Sequence, residues 1–168
     1  MSKTLMAYAT RYGATTETAK VIVEVLRDNY NLEVDLVDIK QNKNVDLTEY
    51  ENIILGVSYA KFNWAKEGKK FLKHLDLEGK KLFVFISSGR AGNAFKNNDL
   101  KKYQSLQTKF IDNVLKKFKL EYTSRRAFGG RYVQGGVEKW DNRNWDDIRN
   151  WAEEVGEIIT KSGNEKSE

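Results

Sequence analysis

Three runs of the chain, Leu5 to Ala9, Ile53 to Val57 and Leu82 to Ile86, are apolar at nearly every position rather than at every second one. Strands covered by helices on both faces read this way, because neither side-chain direction meets water, and the runs predict the centre of a parallel sheet. Val34 to Ile39 differs: Asp35 and Asp38 interrupt Val34, Leu36 and Val37, as on an edge strand with one wetter side. A fifth candidate, Arg125 to Val133, is broken by Gly129 and Gly130, where a bulge or a close backbone approach is expected.

Between the runs the spacing shifts to the helical period. Ala19, Ile22, Val23, Leu26 and Tyr30 share one face; so do Trp64, Gly68, Phe71, Leu72 and Leu75. Tyr103, Leu106, Phe110, Val114 and Phe118 mark a third helix, and Trp145, Ile148, Ala152, Val155 and Ile159 a fourth. Asn144 is placed to cap that last helix, Asp146 and Asp147 suit its first turn, and Ser162 with Gly163 is expected to stop it, leaving a frayed tail. Right-handed crossovers then predict an α/β fold, a doubly wound five-stranded parallel sheet in the order 2-1-3-4-5 with helices on both faces. In that arrangement the loops after strands one, three and four meet at one edge of the sheet.

Composition narrows the class. At 168 residues the chain is expected to form one domain, 1–168, and with 40% hydrophobic and 12% aromatic residues it is globular rather than disordered or fibrous. The absence of cysteine excludes disulfides, thiolate metal sites and iron–sulfur clusters. No apolar run is long enough to span a membrane and the N-terminus leads straight into a strand, so a cytoplasmic location is expected. The net charge of +5 favours anionic ligands and acidic partners.

The first loop carries the clearest chemistry. Thr10, Arg11, Tyr12, Gly13, Ala14, Thr15 and Thr16 lie between strand one and a helical pattern that begins near Glu17. Hydroxyls around a glycine, opening onto a helix start, suit a phosphate: it offers several acceptor oxygens to amides that the helix leaves unpaired. The same residues serve equally well as a plain strand-to-helix turn with a threonine cap. The second loop, Ser58, Tyr59, Ala60, Lys61, Phe62, Asn63 and Trp64, offers aromatic walls to a flat ligand, with Trp64 reading more naturally as core. In the third loop, Ser87, Ser88, Gly89, Arg90, Ala91, Gly92 and Asn93, small residues leave the backbone open to a ligand's edge, and Arg90 is either an anion partner or a solvated charge.

Taken together, these loops resemble those of a flavodoxin, over most of the chain from Lys3 to about Thr160. The resemblance implies flavin mononucleotide (FMN), with Thr10, Arg11, Tyr12, Gly13, Ala14 and Thr15 at its phosphate. It also implies Tyr59, Ala60, Lys61, Phe62 and Asn63 beside the ring, and Ser88, Gly89, Arg90, Ala91 and Gly92 at its pyrimidine edge. Electron transfer to redox partner proteins, or to a small organic acceptor, follows. Ile53 to Tyr59 with Phe62 and Asn63, Ala127 to Tyr132 and Asn144 to Ile148 are similar to the flavodoxin-like menaquinone-dependent protoporphyrinogen oxidases, which carry a longer insertion where only Val133 to Arg143 intervenes here.

Two departures bear on chemistry. Flavodoxins are typically acidic and this chain is basic, so its partners should differ in charge preference. The ring-flanking loop has no glycine after Gly56, so a peptide flip toward a half-reduced flavin would use Ala60 or Lys61 at steric cost, and little of that neutral species is expected. Lys61, if aimed at the ring, would favour its anionic reduced form.

His74 is the only histidine and reads as a surface residue; no hydrolytic triad or zinc motif occurs. An enzyme built on this chain would therefore need a bound organic cofactor. The alternatives are a flavin-dependent oxidoreductase with its substrate near Gly129, Gly130, Arg131, Tyr132 and Trp140, and a non-catalytic binding module. Lys66, Lys69, Lys70, Lys73, Lys116, Lys117 and Lys119 fall largely opposite the apolar helix faces, which reads as solvated surface rather than a nucleic-acid site.

Overall fold

Both faces of the central strands are buried, as their unbroken apolar character requires. In the computed structural model, which describes residues 3–167, β1 (Lys3–Ala9) leads into α1 (Ala14–Tyr30), then β2 (Glu33–Asp38) and β3 (Tyr50–Ala60). Met1, Ser2 and Glu168 lie outside the described residues. A two-residue return strand, β4 (Asn63–Trp64), precedes α2 (Lys66–Lys73), followed by β5 (Lys81–Ser87), α3 (Gly89–Lys96) and α4 (Leu100–Gln107). A π-helical turn (Thr108–Asp112) joins α4 to α5 (Asn113–Lys117); β6 (Ser124–Phe128), β7 (Arg131–Gln134), β8 (Val137–Asp141) and α6 (Trp145–Ser167) complete the chain.

The main sheet runs β2-β1-β3-β5-β6, all parallel, which is the expected 2-1-3-4-5 order once the small β4, antiparallel to β3, is set aside. Alternate residues of each central strand enter two separate cores. Leu5, Ala7, Ile53, Leu55, Val84 and Ile86 pack with Trp64, Leu72, Tyr103 and Phe110 under α2 to α5. Met6, Ile54, Phe83 and Phe85 pack on the other face with Ile22, Leu26, Trp151 and Val155 of α1 and α6. Gly56 lies in that second layer under the Phe85 ring, where a Cβ would stand 2.1 Å from Cζ.

Several expected boundaries move. The helix after strand one starts at Ala14 rather than near Glu17, and Trp64 belongs to β4, its buried indole donating to the Phe110 carbonyl at 2.7 Å. The third predicted helix is divided by the π turn, and α3 is an additional helix where only a loop was expected. Arg125 to Val133 is not one strand: β6 ends at Phe128, and after Gly129 and Gly130 the chain leaves the sheet as a β7–β8 hairpin. The expected close approach is there, since a Cβ on Gly129 would lie 2.2 Å from the Asn142 carbonyl oxygen.

At the other end, Asn144 caps α6 through the Asp147 amide at 3.0 Å, but Ser162 and Gly163 do not stop it and the tail is helical to Ser167. A lone glycine costs a helix interior only about 1 kcal/mol, which the Trp151, Val155 and Ile159 stripe on the core readily outweighs.

Candidate functional site

Three chain segments and the hairpin converge beyond the carboxyl ends of β1, β3 and β5 on a cleft of about 830 Å3. Thr10, Tyr12 and Ala14 line it from the first segment, Ser58, Tyr59, Ala60, Lys61 and Phe62 from the second, and Ser88, Gly89 and Arg90 from the third. Arg11, Gly13, Thr15, Asn63, Ala91 and Gly92 are not on its surface.

Each of these six has a different occupation. Gly13 takes φ +89°, a left-handed turn that suits glycine, and its N–H donates to Thr10 Oγ1 at 2.8 Å. Thr15 is buried and its hydroxyl donates to Ser87 Oγ at 3.1 Å. Asn63 Oδ1 accepts from the Trp64 amide at 2.9 Å, and the Ala91 amide donates to Ser88 Oγ at 3.3 Å. Gly92 sits where a Cβ would meet Gly129 Cα at 2.6 Å. The Arg11 guanidinium turns to the β3–β4 turn, donating to the carbonyls of Ala60 and of Trp64, the latter at 2.7 Å.

The residues present fit a phosphorylated flat ligand. Gly13 is the N-cap of α1 and provides no side-chain cap, so the first amides of a 17-residue helix remain available where Ala14 borders the cleft. The volume lies within the range of about 300–1,000 Å3 common to small-molecule sites. Its walls are aromatic. Tyr59 stacks on Phe110 at 3.8 Å and 18°, Phe110 being aimed there by the π turn, and the Arg90 guanidinium lies over the same Phe110 ring at 5.5 Å. Burial pushes the Tyr59 phenol above its ordinary pKa, so this wall stays neutral at physiological pH.

The opposite wall is one that reasoning from the sequence missed in part. The hairpin carries Tyr132 and Trp140, stacked at 6.2 Å, and Tyr12 meets Tyr132 edge-on at 5.6 Å. Gly135 and Gly136, both at positive φ between Gln134 and Val137, make its tip; a Gly-Gly pair between two short strand-forming runs is the signal that could have located it. Asn142 fastens its base: Nδ2 donates to the Gly89 carbonyl at 2.8 Å and to Asn93 Oδ1 at 2.9 Å, while Oδ1 accepts from the Gly130 amide at 2.9 Å. Glu17 of α1 grips it from the other side through Arg131 at 3.1 Å and Arg143 at 3.0 Å. Arg143 in turn pairs with Asp141 at 2.7 Å and holds that carboxyl below its usual range.

The mouth is positive. Lys61, Arg90 and Lys96 line the cleft with exposed side chains, and none is in an ion pair among the described residues. Phe62, also on the cleft lining, is 81% exposed. No group of histidine, aspartate and glutamate among the described residues could hold a metal ion, and His74 is exposed on a different hollow, between α2 and the segment after β2. No helix of the described residues is long and apolar enough to cross a membrane.

An open helix N-terminus and aromatic walls beyond the strand ends of a doubly wound sheet mark the place where open α/β sheets put ligands. Residues 5–143 match the family model described as Flavodoxin domain, and the chain belongs to that family of flavin-binding redox proteins. Its fold is similar to that of oxidised Flavodoxin 1 from Bacillus cereus, with 21% identity, 91% of this chain and 96% of that one covered, and a TM-score of 0.57. A flavodoxin of Streptococcus pneumonia TIGR4 gives 19% identity, coverage of 94% and 99%, and a TM-score of 0.59. For an NAD(P)H:quinone oxidoreductase from Methanothermobacter marburgensis the values are 10%, 94% and 96%, and 0.62. No curated protein sequence matches the chain.

Proposed function

We propose that this protein binds FMN in the cleft and passes electrons through it. The observation that carries the reading is the uncapped start of α1, which opens on the same cleft as two aromatic walls. The flavin, when bound, supplies the redox chemistry. The chain supplies the rest: the first amides of α1 and Thr10 receive the phosphate, Tyr59 and Phe62 border one side of the ring, and Ser88 and Gly89 border its polar edge. Lys61, Arg90 and Lys96 on the cleft lining favour an acidic redox partner or an anionic acceptor, because cations outside ion pairs at a mouth steer opposite charge to it.

Purification without added cofactor tests this. The expected result is a yellow protein that releases, on denaturation, a flavin carrying one phosphate by absorbance and mass. A colourless protein that ignores micromolar FMN overturns the proposal.

A second reading is favoured by Tyr132 and Trp140, which add an aromatic wall beyond the three loops: a flavin-dependent oxidoreductase of the quinone-linked protoporphyrinogen type, taking a planar organic substrate against the hairpin. Turnover of such a substrate by the purified yellow protein supports it; electron relay between proteins alone supports the first.

A further inference from the structure

Lys61 and Phe62 form a two-residue turn between β3 and β4, with Tyr59 opposite Trp64 and Ala60 opposite Asn63. Both turn residues have positive φ, 52° and 64°. This geometry is normally filled by Asn-Gly or Gly-Gly, because a side chain there crowds its own carbonyl. Neither lysine nor phenylalanine prefers it, and Phe62 is too exposed to be held by packing. Something else must hold the turn.

Arg11 does so from the phosphate-side loop. Its backbone N–H donates to Ser58 Oγ at 3.1 Å, and its guanidinium forks onto the carbonyls of Ala60, just before the turn, and of Trp64, the second residue after it. The Ala65 amide adds a bond to the Ser58 carbonyl at 3.0 Å. A guanidinium suits this role because its rigid planar donors reach two acceptors at once. With those donors engaged and the group off the cleft surface, it is not directed at a phosphate.

We infer that Arg11 is a positioning residue rather than a phosphate ligand: its fork locks the Lys61 and Phe62 turn, so that one wall of the cleft is assembled from the anion loop before any ligand arrives. Pre-assembly of this kind raises affinity by removing an ordering cost from the binding step. The inference rests on the proposed flavin site for one arm of its test only.

The first arm needs no flavin. In ligand-free protein, Arg11→Ala should speed amide hydrogen exchange of residues 60–64 about tenfold while leaving the interior of α1 unchanged. Arg11→Lys, which keeps the charge but cannot fork, should behave like Arg11→Ala. Replacing Lys61→Asn together with Phe62→Gly installs the preferred turn pair and should restore protection in the Arg11→Ala background. Unchanged exchange in both Arg11 variants, or no rescue, overturns the inference.

The second arm compares FMN with riboflavin, which lacks the phosphate. A lock on the wall predicts that Arg11→Ala weakens both by the same factor, about tenfold. Loss confined to FMN, with Arg11→Lys retaining affinity, overturns the inference and makes Arg11 a phosphate ligand. If the unaltered protein binds neither compound the proposed function falls, and the exchange arm still decides the role of Arg11.

Discussion

The Trp140 indole lies directly against the backbone of Gly89: a Cβ built on that glycine would stand 2.6 Å from Trp140 Cη2. A hairpin outside the main sheet is thereby pressed onto the first residue of α3 at the cleft floor. Trp140 is 44% exposed and can move, so Gly89→Ala should displace it at small cost to stability, within about 1 kcal/mol. FMN affinity should fall by about tenfold, read by titration of flavin fluorescence. Unchanged affinity would show that Trp140 is not part of the binding wall.

Asn142 is the other fastening of that hairpin, with bonds to Gly89, Asn93 and Gly130. Asn142→Ala should lower stability by about 1–3 kcal/mol, since it leaves several partly buried polar groups unmet. Urea denaturation should show a lower midpoint with an unchanged slope.

Gly56 and Gly163 should respond to alanine with opposite signs. At Gly56 the new methyl meets Phe85 Cζ at 2.1 Å inside a closed core, and destabilisation of about 1–3 kcal/mol or more is expected. At Gly163 nothing lies within 4 Å of the new Cβ and the residue is inside α6, so Gly163→Ala should stabilise by about 0.5–1 kcal/mol. Thermal melts of the two variants decide both.

Alkaline pH should weaken the fold through Tyr103. Burial pushes this phenol up to about 12, and its hydroxyl donates to the Ala127 carbonyl at 2.5 Å. The unfolded chain releases its proton near pH 10 and the folded chain does not, so the folded state binds more protons between those values. Stability is therefore full below pH 10 and is lost as pH rises through 12, by about 2–3 kcal/mol for this residue. Tyr103→Phe should be less stable at pH 8 but show a shallower decline from pH 10 upward, measured by denaturant titration. Tyr30 and Tyr50 are also raised to about 12, so the decline should flatten only in part.

The sheet was legible because its signal is local and redundant. Leu5 to Ala9, Ile53 to Val57 and Leu82 to Ile86 each state burial on both faces, and strand order then follows from the handedness of the crossovers. The meeting of three loops at one cleft followed from that order. What escaped depends on partners distant in sequence. Nothing around Arg11 says that its side chain will reach carbonyls at 60 and 64, and nothing near Tyr59 names Phe110, since a π turn in a far helix makes that contact. Thr15 looked like a ligand hydroxyl, and its hydroxyl instead ties the first turn of α1 to Ser87 at the end of β5. The hairpin was readable from Gly135 and Gly136, but its fastening through Asn142 was not. Gly163 misled because a glycine ends a helix only where no apolar stripe carries the chain onward.

The tip of the hairpin, Gly135 and Gly136, faces open space while its base is anchored on two sides. Extra chain inserted there would extend the roof over the cavity without disturbing the helix start or its turn. What is admitted and what is gripped can thus diversify separately, making this ribbon the natural place to graft a new selectivity onto an old seat.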